Sequence, residues 1–274
     1  MSKIVRFGLT VSEEILGNTA PVLIQGGLET AIRRAAELGF NSVELHVRNP
    51  NDIDVGAVTR SAVNAGVEIS AIGTGLEYSL NGLNLTSPDT ELRLRTATRF
   101  EEHIDLAANF GATVFVGLCR GTADGDETRE AYLNRLHDTL IPLAAYAREK
   151  EVSLSLEPIA AYMTNLLNTT VESLRFISRP GLESILLLMD THHMFIEDGD
   201  IAETFRLCKG RIGHIHISDS DRKYPGSGEI DFEDVGSALK EIEYSGAVSA
   251  EVLPDPDGET AALHALEWMR RVWL

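Results

Sequence analysis

Short apolar runs rich in β-branched residues alternate along this chain with amphipathic stretches. The runs predict strands at 5–10, 42–47, 68–74, 113–118, 153–158, 185–190, 212–218 and 248–253. Their near-continuous hydrophobicity, clearest at Ile185-Leu-Leu-Leu-Met189, suits parallel strands covered on both faces. Helical patterns at 28–38 and 91–110 stop at Gly39 and Gly111, the residue type expected just past a helix end. Further helices are predicted at 130–150, 171–177, 201–208, 232–244 and 259–272, with Pro142 expected to kink or restart the first of them. Alternation repeated eight times predicts an α/β fold, a closed (β/α)8 TIM barrel in which residues 1–274 form a single domain. An open doubly wound sheet usually carries a Gly-rich phosphate loop after its first strand, and no GxGxxG follows residues 5–10. Gly73-Thr-Gly75 lacks the third glycine and reads as loop geometry.

Composition narrows the function. A formal net charge of −18 repels phosphate backbones and anionic lipid, so nucleic acid and membranes are not expected partners. The two cysteines, Cys119 and Cys208, form no CxxC pair and suit a reducing compartment. The start, MSKIVRFGLT, lacks the apolar stretch of a signal peptide, and no run approaches the roughly 20 apolar residues of a membrane span. A cytoplasmic location is expected.

Barrel active sites lie at the C-terminal ends of the strands. There the last four predicted strands deliver Glu157, Asp190, His214 with His216, and Glu251, each embedded in apolar sequence. A single Glu or Asp at a strand end equally often caps the next helix. Three carboxylates together, however, repel one another and take up protons unless a cation neutralises them. One divalent metal held by Glu157, Asp190, His216 and Glu251 is the economical reading. Oxygen ligands with one imidazole suit Mn2+ best, with Mg2+ or Co2+ as alternatives. His214 shares a strand face with His216, so both can point inward, one of them as a hydrogen-bonded histidine of the core or behind the metal ligands. Glu44 and His46, near the end of the second strand, either reach the pocket in such a supporting role or form a capping or hydrogen-bonding pair. Lys223 and the glycines at 226 and 228 read as a solvated loop rather than a phosphate site.

These residues resemble the xylose-isomerase-like sugar isomerase and epimerase superfamily, most closely the ketose 3-epimerases of the tagatose and psicose type. The resemblance rests on Glu157-Pro-Ile, Thr164-Asn-Leu-Leu-Asn-Thr169, Asp190-Thr-His-His-Met194, Gly213-His-Ile-His216 with Arg222, Pro225-Gly-Ser-Gly-Glu229, and Glu251. It implies that Glu157, Asp190, His216 and Glu251 bind the metal and that His193 and Arg222 hold oxygens of a small carbohydrate substrate. It also implies that Glu157 and Glu251 are catalytic, an acid–base pair on opposite faces, and that such barrels associate into homo-oligomers. The chemistry expected is C3 epimerisation of a keto-sugar through a metal-stabilised cis-enediolate. Ala160, Ala161 and Met163 stand where these epimerases carry Asn, Arg and Glu, so polar substrate contacts in that stretch are lost.

Aldose–ketose isomerisation, or a sugar-acid dehydratase or decarboxylase, would use the same metal. An apurinic-site endonuclease would need more strand-end histidines and a less acidic surface. A non-catalytic metal- or sugar-binding barrel would have no use for a second glutamate base.

Overall fold

A computed structural model describes residues 5–274; the first four residues of the chain's start lie outside it. The strands are β1 (Arg6–Ser12), β2 (Ile24–Gln25), β3 (Ser42–His46), β4 (Glu68–Gly73), β5 (Thr113–Val116), β6 (Leu154–Leu156), β7 (Leu186–Asp190), β8 (Ile212–Ile217) and β9 (Ala247–Ala250). All pairings are parallel, and β1 pairs with β9 as well as with β3, which closes an eight-stranded barrel. The two-residue β2 rides on the end of β1 and was not expected; it is too short to leave a periodic signal.

Strand interiors are almost wholly buried because helices cover the barrel, so the strands read as continuous apolar runs rather than alternating ones. Gly39 adopts φ +99°, the left-handed conformation a side chain resists, and closes its helix where expected. The helix expected to run to Gly111 instead ends at Ala108 with Asn109 as its cap, and Gly111 (φ +64°) lies in the turn beyond. Pro142 does not restart its helix. Residues Arg129–Glu149 form one helix, with Leu136, Leu140 and Leu143 buried along it, and their packing outweighs the missing backbone donor. Three helices escaped the periodicity reading: Val55–Ala65, Gly75–Asn81 and Thr191–Glu197. The last two are seven residues each, two turns in which no amphipathic period develops. Among the described residues no helix is long and apolar enough to cross a membrane.

The helix Gly75–Asn81 matters because residues on and before it line the barrel mouth. It is tied down from below by Glu77. The Glu77 carboxylate lies 3.1 Å from Nε2 of His103 and 2.8 Å from Nη1 of Arg99, both on the helix Thr90–Ala108. Burial drives the His103 pKa below its ordinary 6.5, so the ring is neutral. Burial opposes the Glu77 charge, yet hydrogen bonds from His103, Asn81 and Arg99 hold its pKa below 4.5. Both folded-state pKa values are thus depressed. Their stabilisation is present above the unfolded values and is lost as pH falls, first through the His103 range below 6.5 and then through that of Glu77. We therefore expect the denaturation midpoint of His103→Gln to fall less than wild type between pH 7.5 and 5. Parallel slopes would place the acid sensitivity elsewhere.

Candidate active site

Because every strand is parallel, all C-terminal ends meet at one mouth. The register pairs Asp190 with His216 and His216 with Ser249, which puts β7, β8 and β9 level at the depth of the expected ligands. One ligand atom from each of Glu157, Asp190, His216 and Glu251 lies within 4.8 Å of the others, and all four residues are buried. The expected quartet therefore converges.

Asp190 ends β7 and divides its two oxygens. Oδ1 accepts from the backbone N–H of His192 (2.9 Å) and so caps the helix Thr191–Glu197. Oδ2 lies 3.8 Å from Nδ1 of His216 and accepts from Nη1 of Arg222 (2.6 Å). Capping and a site role, alternatives in the sequence, thus coexist in one side chain. Burial opposes ionisation, but Arg222, with His193 and His216, holds the Asp190 carboxyl well below the carboxylate range. Arg222 also donates to Glu251. Expected at a substrate, this guanidinium lies directly on two carboxylates of the quartet and still borders the cavity.

Glu44 is the hub beneath the site. Fully buried, it accepts from Nε2 of His46 (2.9 Å), His214 (3.0 Å) and His216 (2.9 Å). Burial raises its pKa, but the charge of His216 and the three hydrogen bonds outweigh this and keep it well below 4.5. With Nε2–H of His216 engaged by Glu44, Nδ1 is the nitrogen left to face the site. Among the described residues it has no hydrogen-bond partner, and it points toward Glu251 (3.3 Å), Glu157 (3.8 Å) and Asp190 (3.8 Å). A buried imidazole nitrogen without a partner, facing three carboxylates, fits a divalent cation. Burial and repulsion by Glu251 and Asp190 raise the Glu157 pKa although nearby His216 works to lower it, the strain a cation would relieve. Glu44→Gln, which cannot accept from all three rings, is expected to weaken Mn2+ binding roughly 10–100-fold in a calorimetric titration. Unchanged affinity would reduce Glu44 to a core residue.

His193 borders the cavity, and burial pushes its pKa down to about 3. The Ala160 backbone N–H donates to Nδ1 (3.4 Å), which leaves Nε2 to carry the proton. His192 is neutral as well, lowered by burial and by Arg222; its Nδ1–H donates to the Asp219 carbonyl (3.1 Å). Asp219 accepts from the backbone N–H groups of Ser220, Gly226 and Ile230 and so shapes the loop around Arg222. Lys223 pairs with Asp255 at 2.5 Å, in keeping with the solvated-loop reading.

Arg120 was not picked out from the sequence. Its guanidinium is completely buried and donates to backbone carbonyls of Gly117, Leu166, Leu167 and Glu157, so it clamps the chain that presents Glu157. Burial lowers its pKa to about 10, still charged at neutral pH. The signal was available: an arginine four residues past an apolar strand, inside Gly117-Leu-Cys-Arg-Gly121. Gly117 itself leaves room for Glu157, since a Cβ there would lie 2.9 Å from Oε2.

Above the ligands opens a cavity of about 370 Å3 bordered by Glu157, His193, His216, Arg222 and Glu251. That is a size suited to a small-molecule site.

The sequence profile of the xylose isomerase-like TIM barrel family matches residues 32–272. The L-ribulose 3-epimerase of Mesorhizobium japonicum is 30% identical over 83% of this chain and 76% of its own. The D-psicose 3-epimerase of Agrobacterium fabrum is 26% identical over 80% of this chain and 77% of its own. A solved L-ribulose 3-epimerase structure superposes with a TM-score of 0.84 at 26% identity, covering 98% of this chain and 95% of that one.

Proposed function

The chain belongs to the xylose isomerase-like TIM barrel family, and from that premise we propose that it is a divalent-metal-dependent isomerase that epimerises a keto-sugar at C3. The observation that carries this reading is the pair of glutamates at one cavity. Glu157 follows β6 and Glu251 follows β9, with β7 and β8 between them, so the two carboxylates enter from different sides.

Glu157, Asp190, His216 and Glu251 would hold the cation, with Mn2+ the ion proposed for three carboxylates and one imidazole. When bound, it supplies electron withdrawal at the ketose carbonyl, which acidifies the neighbouring C3–H. The chain's own residues do the rest. One glutamate removes the C3 proton, and the other delivers a proton to the opposite face, so C3 is inverted. Two bases on one face would only exchange the proton. Neutral His193, with its proton on Nε2, donates to a substrate oxygen, and Arg222 holds another while fixing Asp190 and Glu251.

The test is metal-stripped protein reloaded with Mn2+ and incubated in D2O with L-ribulose, D-psicose and other ketoses, followed by NMR. Deuterium at C3 with inversion is expected. Label confined to C1 would mean an aldose–ketose isomerase, and absence of metal-dependent exchange would sink the epimerase reading.

A further inference from the structure

A free ketohexose carries hydroxyl groups along its whole length, and each one buried without a partner costs binding. The charged and imidazole groups that border the cavity are His46, Glu157, His193, His216, Arg222 and Glu251, all of them groups of the candidate site described above. The remaining wall is built from Leu16, Leu76, Leu118, Ile159, Met163 and Leu253. The few polar side chains among them are engaged or at the rim. The Thr74 hydroxyl donates to the Phe115 carbonyl (2.8 Å) and that of Ser79 to the Gly75 carbonyl (3.2 Å). The Tyr162 hydroxyl faces Nε2 of His192 at 3.4 Å, and Thr19 is exposed.

We propose that the substrate is a keto-sugar whose end remote from the reacting carbons is apolar, and that this aliphatic wall selects it. The chemistry is a terminal methyl in place of hydroxymethyl, or an alkyl or aryl ether on the terminal oxygen. The inference rests on the epimerase reading and goes beyond it, since the wall lies outside the groups that carry the reaction.

The experiment compares D-psicose, 6-deoxy-D-psicose and 6-O-benzyl-D-psicose on the Mn2+-loaded enzyme. It reads kcat/KM for C3 inversion and, separately, the dissociation constant by calorimetry. The expected result is at least about ten-fold higher kcat/KM and tighter binding for one or both apolar-ended sugars, the range that one hydroxyl or a few methylenes can supply. Preference for the deoxy compound alone identifies a terminal methyl; preference for the benzyl ether identifies a larger apolar group.

Met163→Gln and Leu118→Asn place amides on the wall at similar size, and Met163 is 40% exposed, so its replacement leaves the core intact. Either variant should shrink the preference several-fold. Ring opening is a property of each sugar and cancels when variant is compared with wild type. Equal or better turnover of D-psicose, with a ratio that neither variant moves, overturns the inference while leaving the epimerase standing. Absence of C3 exchange with all three sugars and with L-ribulose overturns the epimerase reading, and the inference falls with it.

Discussion

Glu157→Gln and Glu251→Gln each lower the rate of C3 epimerisation by roughly 10²–10⁴-fold, the range for loss of a positioned acid or base. The two variants should differ in a way that a mere loss of metal would not produce. With one glutamate left, only the epimer whose C3–H faces it can lose a proton, and that proton returns to the same face. Each variant therefore exchanges C3 hydrogen with D2O in one epimer without inversion, and the two variants do so in opposite epimers. Gln retains an oxygen able to ligate, so metal content measured beside the kinetics separates the acid–base effect from loss of the ion. Exchange into the same epimer by both variants would assign all proton transfer to one residue and refute the two-base arrangement.

The second large effect is chelation. Removing the divalent ion is expected to abolish turnover and to lower the thermal midpoint, both restored by Mn2+. In the metal-free protein Glu157, Asp190 and Glu251 crowd one buried imidazole. Burial works to lower the His216 pKa, yet the Glu44 and Glu251 carboxylates raise it well above 6.5, so a proton is drawn onto the ring. Ligation displaces that proton. An ion present at a thousand times its dissociation constant stabilises the folded state by about 4 kcal/mol, roughly 2–4 °C of midpoint per kcal/mol for chains near this size. Activity that survives exhaustive chelation would remove the metal from the mechanism. A thermal midpoint unmoved by Mn2+ would place the ion outside this quartet.

Parts of this site are readable in one dimension for a definite reason. A carboxylate or imidazole set in an apolar strand is out of place unless something compensates it, and the parallel barrel puts every strand's C-terminal end at the same mouth. Glu157, Asp190, His216 and Glu251 could therefore be grouped without coordinates, as could the period-two pairing of His214 with His216 and Glu44 with His46. The two-turn helices at Gly75–Asn81 and Thr191–Glu197 could not, because their ends are set by strand exits and caps such as Asp190 rather than by a repeating face. For Pro142 the restart that local chemistry allowed does not occur, because the packing of a 21-residue helix prevails.

The sequence by itself determined the barrel, the order of its strands and the four groups at its mouth, since all three follow from periodicity and from the cost of charge in apolar surroundings. Only the tertiary structure decided how those groups are used. Glu44 in β3 and His216 in β8 are 172 positions apart, yet their hydrogen bond leaves Nδ1 as the nitrogen facing the three carboxylates. Arg222 bridges two carboxylates from different strands, Arg120 grips the Glu157 carbonyl from β5's exit, and aliphatic side chains from segments as distant as Leu16 and Leu253 line one cavity. Hydrogen bonds and apolar contacts act over a few ångströms in space, whatever the separation along the chain, so no local pattern can report them.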